Sequence, residues 1–578
     1  MQLSAYGAQD VYLTGNPQIT FFKMVYRKYT NFAMENIEKV MEGPSALSQS
    51  TNIQLKCKIG RNADLVSSIY FLFDIPNIFS SYYEDPSFVS NPETTTEPIK
   101  TNYKFKWIKN LGTSIIQNVN ISIGGQIIDR HYGEWLNIWA ELNLKSDKLS
   151  TYNKMIGNIP EIYDPSNAPG NNGFYPSSSL NPNHNTDPDD FTRKLNPYRA
   201  PPSIRKHTIS VPLLFWFCQY SGHALPLIAL QYHDVELVIE LRPIIDLYNI
   251  IETSAEYSNV GEYTKPNPLR SDQNIANFIS QTYGTDNYSL FYDSNISNND
   301  QVNNSIPFDN NIKASGSWDL NSRLDMTYIF LDEEERKRFA KVTHEYLIEQ
   351  VSRYTFQGLV GEKILDLPAQ HPVKKIIFVT KRSDINSRND WTNYTNWELE
   401  EIAPWAVGNP QFQAAINKYT NDLPGGSTDP NLNVEKINRS DSLIIPNKGN
   451  AIYYERDILK NATLLLNGVN RQSTRNANFF NLIQPYYTSN RGPKNGIYLY
   501  SFSLEDSIDY QPKGSCNFSR VKSAQLQVDL IDVPPPSFYN DNEADNSSLQ
   551  YTYDINVYVV NYNILRILSG MGSLAFAN

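Results

Sequence analysis

Apolar and polar residues alternate along much of this chain. A period of two predicts strands with one face in a core and the other toward water. Between Ala524 and Leu530, Leu526, Val528 and Leu530 alternate with Gln525, Gln527 and Asp529. Between His233 and Leu241, Val235, Leu237, Ile239 and Leu241 share one face, with Asp234, Glu236 and Glu240 mostly opposite. Val119, Ile121 and Ile123 alternate with Asn120 and Ser122 before Gly124-Gly125 turns the chain. Ile69, Phe71, Phe73 and Ile75 line a fourth strand, and Ile555, Val557 and Val559 a fifth. Helical spacing is rare. It predicts helices over Gly133–Leu144, over the charged run Asp332–Arg338 and near Gln411–Lys418.

Three polar stretches, 158–206, 246–320 and 383–450, interrupt the strands and are crowded with Asn, Pro, Ser and Gly. Connections longer than about 15 residues are usually functional or disordered. Embedded aromatics such as Tyr283, Tyr288 and Phe291 favour loops that pack on something.

A weak internal duplication orders the rest. Val25–Phe32 resembles Gln350–Phe356, Ser68–Ile75 resembles Lys374–Thr380, and Asn118–Gln126 matches Asn461–Val469, each of the last two ending in a glycine turn. The strand at 233–241 matches 524–530, and Asp325–Leu331 matches Tyr553–Val559. Five matches in one order predict two copies of one β module with loops of different length. About eight strands per copy, with long excursions, predict jelly rolls, because facing sheets of this kind manage their exposed edges. The expected fold is all-β: two tandem eight-stranded jelly-roll sandwiches with long loops and a few short helices. The expected organisation is an N-terminal arm (1–25), a first jelly roll (26–340) carrying the loops 158–206 and 246–320, and a second (341–578) carrying the loop 383–450.

Composition sharpens this picture. With 578 residues, 40% of them hydrophobic, the chain can bury two large cores. Its 38 Tyr and 64 Asn suit half-buried strands and turns respectively. The net charge of −11 argues against wrapping nucleic acid, which needs a basic excess to displace counterions. A local basic patch remains around Lys23, Arg27 and Lys28. Cys57, Cys218 and Cys516 lie far apart and form no metal-ligand spacing, so folding in a reducing compartment is expected. Met1–Tyr12 lacks the pattern of a signal peptide, and the longest apolar run, Val211–Cys218, is eight residues with a proline. The chain is therefore expected to be soluble and intracellular when made.

Candidate chemistry is sparse. No phosphate loop and no Gly-x-Ser-x-Gly elbow occurs. The histidines, His131, His184, His207, His223, His233, His344 and His371, never reach His-x-x-x-His spacing. His223, in the turn Ser221–Pro226, could serve as ligand or base, but a metal needs convergent partners and a turn histidine bonded to backbone is the plainer reading. Glu236 and Glu240 share a strand face as paired carboxylates would, and more plainly form its solvated side. The run Asp332–Arg338 places acids first and bases last, which complements a helix dipole and reads as a structural linker. Nine Asn-x-Ser/Thr sequons, at Asn120, Asn287, Asn295, Asn303, Asn393, Asn438, Asn461, Asn517 and Asn546, match what this composition yields by chance. No catalytic, cofactor-binding or metal residue is assigned, and no cofactor is expected.

The ends of the chain are more specific. Ala5–Lys23, followed by Val25-Tyr-Arg27 and Thr30-Asn-Phe32, closely resembles the start of the major capsid proteins of nucleocytoplasmic large DNA viruses, in their mimivirus and phycodnavirus branch. Leu331–Phe339 with His344–Gln350 resembles the join between their modules, and Asn563–Asn578 their C-terminus. With the strand Leu225–Leu241, the resemblance spans the whole chain. It implies a double jelly roll whose homotrimer, pseudo-hexagonal in outline, tiles an icosahedral shell with neighbouring capsomers. It further implies loops directed outward, an N-terminal segment on the inner side, and minor capsid and penton proteins as partners. Contact with an inner membrane would be indirect, no nucleic acid would be bound directly, and a late virion protein made in the host cytoplasm is expected. The alternatives are a glycan-binding attachment protein and, more remotely, a polysaccharide-cleaving enzyme, which would need two carboxylates about 5 to 10 Å apart on an aromatic-lined sheet.

Overall fold

The computed structural model describes residues 7–24, 26–80, 103–171, 175–176, 202–252, 264–270, 273–279, 318–397, 400, 455–505, 511–533 and 551–576. Its first half contains β1 (Phe32–Val40), β2 (Ile53–Ile59), β3 (Leu65–Ile75), β4 (Tyr103–Trp107), β5 (Ile116–Ile123), β6 (Gln126–His131), β7 (His207–Pro212), β8 (Leu225–Pro226), β9 (Val235–Leu241), β10 (Tyr248–Glu252) and β11 (Arg323–Leu331). Its second half contains β12 (His344–Leu359), β13 (Glu362–Asp366), β14 (Pro372–Arg382), β15 (Leu459–Leu466), β16 (Val469–Asn470), β17 (Arg475–Asn476), β18 (Ile497–Ser501), β19 (Cys516–Asn517), β20 (Ala524–Leu530), β21 (Tyr553–Leu568) and β22 (Met571–Leu574).

The first half forms two main sheets, ordered β1-β11-β3-β7 and β2-β9-β5-β6. The second forms β12-β21-β14-β18 and β13-β20-β15-β16. Taken in chain order, these are the same two four-strand arrangements, all antiparallel. The fold is a double jelly roll. Four of the five sequence matches fall on strands holding the same place in each half: β3 with β14, β5 with β15, β9 with β20, and β11 with β21. The fifth is corrected. The counterpart of β12 is β1, which begins at Phe32, so the matched segment ending at Phe32 lies ahead of it. There the shared Arg, Tyr and Thr misled, because pairing and not residue identity fixes a strand's place.

Alternation becomes burial directly in the inner strands, and β9 and β20 both read buried at every second residue. The hairpin β5–β6 turns through Gly124 and Gly125, φ +58° and +83°, and β15–β16 through Asn467 and Gly468, φ +56° and +74°. Positive φ at both central positions matches the twist of the flanking strands, and Gly and Asn tolerate it best.

The alternation breaks most completely in β14 and β21. β14 is buried at every residue after its first, and β21 is buried without interruption from Val557 to Asn563. Ile376, Phe378, Ile555, Val557 and Val559 face the core of the second half. Ile377, Val379, Tyr558, Val560, Leu565 and Ile567 instead join the core of the first half.

Helices run over Gly133–Asn143 and Glu333–Lys341, close to the expected spans, and the Asp332 side chain caps the second by accepting from Glu335 N–H at 2.8 Å. A helix at Ser146–Met155 was not foreseen, and the expected one near Gln411–Lys418 lies outside the described residues. Within the stretch read as loop, β10 pairs with β4, and Phe105 stacks on Tyr248 at 4.9 Å. Tyr103-Lys-Phe-Lys-Trp107 alternates cleanly and held the missed signal. Residues 177–201, 280–317 and 401–454 lie outside the described residues.

Candidate assembly surface

The two sandwiches meet over a broad interior seam. The first contributes β6, the 133–143 helix and the turns around 216–223; the second contributes the outer face of β12-β21-β14. At the β6 edge, Gln350 Nε2 donates to Ile128 C=O and Val351 N–H to Asp129 Oδ1. His131 is buried against Asp129 at 2.9 Å and stacks on Phe215.

The centre of the seam is Glu134, second residue of the 133–143 helix. Its carboxylate pairs with Lys381 of β14 and accepts from Asn556 Nδ2 at 2.7 Å and from the Tyr558 hydroxyl at 2.6 Å. Burial alone would raise its pKa, but Lys381 and these donors hold the carboxyl below the usual glutamate range. Trp135 packs on the Tyr558 ring at 5.6 Å, and the Arg353 guanidinium lies 3.9 Å over Tyr132. Further along the helix, Glu141 pairs with Arg491, and Asn490 Nδ2 donates to Asn143 C=O at 2.8 Å.

A second group of contacts locks the flank. Trp391 Nε1 donates to Asp246 C=O at 2.9 Å, and Arg242 covers the Trp391 ring at 4.1 Å. Asn389, held at φ +53°, donates to the carbonyls of Ile245 and Tyr248. At the C-terminal hairpin, Tyr232 N–H donates to Gly570 C=O at 3.0 Å. Gly570 sits at φ +83°, and a Cβ there would lie 2.6 Å from the Tyr232 ring, so the close approach requires glycine.

A polar cleft of about 210 Å3 opens along the seam, lined by Glu134, Arg242, Arg353, Lys381 and Asp554 among others. It holds two carboxylates of unlike character, since burial raises the Asp554 pKa. Yet Glu134 is fully engaged by Lys381, Tyr558 and Asn556, and Asp554 accepts the Gly358 N–H at 3.0 Å. The arrangement is an ionic joint between two sandwiches, with its acid held as the anion that Lys381 needs.

The residues singled out in the sequence do not converge. His223 packs edge-on to Tyr220 and to Tyr346 of β12, and burial lowers its pKa against the pull of Glu349. Glu240 accepts from Asn52 at 2.9 Å and Asn118 at 2.6 Å, lacing neighbouring strands together, while Glu236 sits four residues earlier on the same strand, opposite Lys58. Asp332–Arg338 caps and forms its helix, whose Arg336 pairs with Asp64 at 3.0 Å. His233 accepts from Gly572 N–H, and His344 bonds the Phe339 carbonyl. The three cysteines are free, and burial raises each thiol, Cys218 to about 12. Among the described residues, no three His, Cys, Asp or Glu side chains converge as a metal site would require. Of the sequons, Asn393 is buried and donates to Trp397 C=O, and Asn120 accepts from Arg130 Nε. Asn461 and Asn517 are also described. His184, Asn287, Asn295, Asn303, Asn438 and Asn546 lie outside the described residues. Sequence reasoning missed Glu134, Lys381 and Tyr558. Their signal was the run of apolar residues on both faces of β14 and β21, which one-sided strands do not show.

Two family models match the chain: large eukaryotic DNA virus major capsid protein over residues 335–573, and major capsid protein N-terminus over residues 20–283. The major capsid protein of Phaeocystis pouchetii virus is 32% identical, covering 100% of this chain and 99% of its own length. That of Paramecium bursaria Chlorella virus 1 is 30% identical over 100% of this chain and 99% of its own. Among solved structures, a quasi-atomic model of the PBCV-1 virus capsid superposes with a TM-score of 0.55 at 24% identity, covering 97% of this chain and 100% of that one.

Proposed function

The chain belongs to the major capsid proteins of large eukaryotic DNA viruses, and we propose that it builds its shell as a homotrimer of pseudo-hexagonal outline in an icosahedral lattice. It is a structural virion protein that assembles with itself. The observation that carries the finer reading is the repeated strand order, β1-β11-β3-β7 and β12-β21-β14-β18, in one chain. Two like sandwiches per subunit give a threefold assembly six similar corners, which suits hexagonal packing.

In this reading the units are an arm (1–25) and jelly rolls over 26–340 and 341–578. The chain is no enzyme, because the seam's carboxylates serve its own contacts. Minor capsid and penton proteins are its further partners, and it is made late, in the host cytoplasm. It does not bind the genome directly, consistent with a net charge of −11. Sedimentation of the purified chain at micromolar concentration tests the assembly, with a trimer expected and a well-folded monomer refuting it. The enzymatic alternative is tested on a panel of glycans, which are expected to stay intact; cleavage would support the enzyme.

A further inference from the structure

Two arginines of the seam have no acid of their own. Arg242, the residue after β9 in the first half, lies 4.1 Å over the ring of Trp391 in the second. Arg353, on β12 in the second half, lies 3.9 Å over the ring of Tyr132 in the first. Each guanidinium thus crosses the seam and is held flat by a ring of the opposite half. Arg242 Nε donates to Ser114 C=O at 2.9 Å. Among the described residues, its two terminal nitrogens have no hydrogen bond, and neither arginine has an ion pair.

Both side chains line the cleft of about 210 Å3, and charge there is unbalanced. Burial lowers the Arg242 pKa, Asp246 and Glu134 pull it up, and Arg353 pushes it down again. Those two acids are already committed, Asp246 to Lys265 and Glu134 to Lys381. The charged lining residues are Arg242, Arg353 and Lys381 against Glu134 and Asp554, which leaves one positive charge over. It sits on two like-charged groups partly withdrawn from water, where an uncompensated charge is costly. Neutral hydrogen-bonding groups, among them Gln117, Thr355 and Gln357, make up much of the remaining wall.

We propose that this cleft is an anion site, in which a free phosphate ion bridges Arg242 and Arg353 across the seam. A guanidinium held flat presents its in-plane N–H groups as a fork, which fits two oxygens of a tetrahedral oxyanion. A volume of about 210 Å3 equals roughly seven waters at ~30 Å3 each, enough for such an ion with part of its hydration shell. The ion is free and not carried on a nucleotide, because the two rings lining the cleft, Tyr132 and Trp391, are engaged by the guanidiniums and not offered to a base. The phosphate supplies the acid that neither half provides, and so ties the halves together.

The test is calorimetric titration of inorganic phosphate into the full-length protein, in phosphate-free buffer at constant ionic strength. Saturable binding of one ion per chain is expected. Arg353→Gln is expected to weaken it by about tenfold or more, through loss of a charge-assisted hydrogen bond. Since that change also removes packing on Tyr132, a second variant keeps both arginines. Thr355→Glu places a carboxylate on the same face of β12, two residues from Arg353, where it takes the ion's place. Phosphate is expected to raise the melting temperature of the wild type and not that of Thr355→Glu. Absence of saturable binding by the wild type overturns the proposal. So does an equal rise in melting temperature for both proteins, which would be a general salt effect. Adenosine monophosphate is expected to bind no more tightly than phosphate, and tighter nucleotide binding overturns the assignment to a free ion.

Discussion

At the residue scale the seam turns on Glu134. Its carboxylate is buried with Lys381, Tyr558 and Asn556 all directed at it. Removing one member of such a pair strands the other charge in a low dielectric. Glu134→Ala is expected to cost about 3–5 kcal/mol in a urea unfolding measurement. Because the folded carboxyl lies below its ordinary value of 4.5, its contribution is present above that value and fades as pH falls through the depressed one. The wild type should therefore lose more stability than Glu134→Ala between pH 7 and pH 3. None of this was legible in the sequence. Glu134 was one acid among 61, and its partners on β14 and β21 come from segments about 250 and 420 residues away.

At the scale of elements, what could be read depended on whether a strand serves one core or two. β9 and β20 alternate, and their faces and their equivalence were evident from the residues. β14 and β21 were recognised as strands, but their second apolar face was not given a role, since period-two reasoning assumes water on one side. Ile377 carries that second face on β14 and is fully buried against the first half. Ile377→Ala is expected to destabilise by about 2–5 kcal/mol, as core truncations do, in a calorimetric or urea measurement; a cost near zero would mean that the face is solvated. The 333–341 helix was legible because its signals are local: a capping Asp332, acids in the first turn and bases in the last. Asp332→Ala should cost about 1 kcal/mol by the same measurement.

At the scale of the whole molecule, tandem repetition was readable because it preserves strand order even where loop lengths diverge. The way the repeats join was not, because the seam is built from residues distant in sequence and mixed in character. Since β14 and β21 wall both cores, the halves are expected to melt in a single calorimetric transition, and two resolved transitions would show them to be independent. A mechanical consequence follows from those shared walls. Flexing one sandwich against the other would pull β21 out of close packing on one side or the other. The subunit is thus a stiff tile, and the curvature of a shell made from it has to be taken up along the joints between tiles.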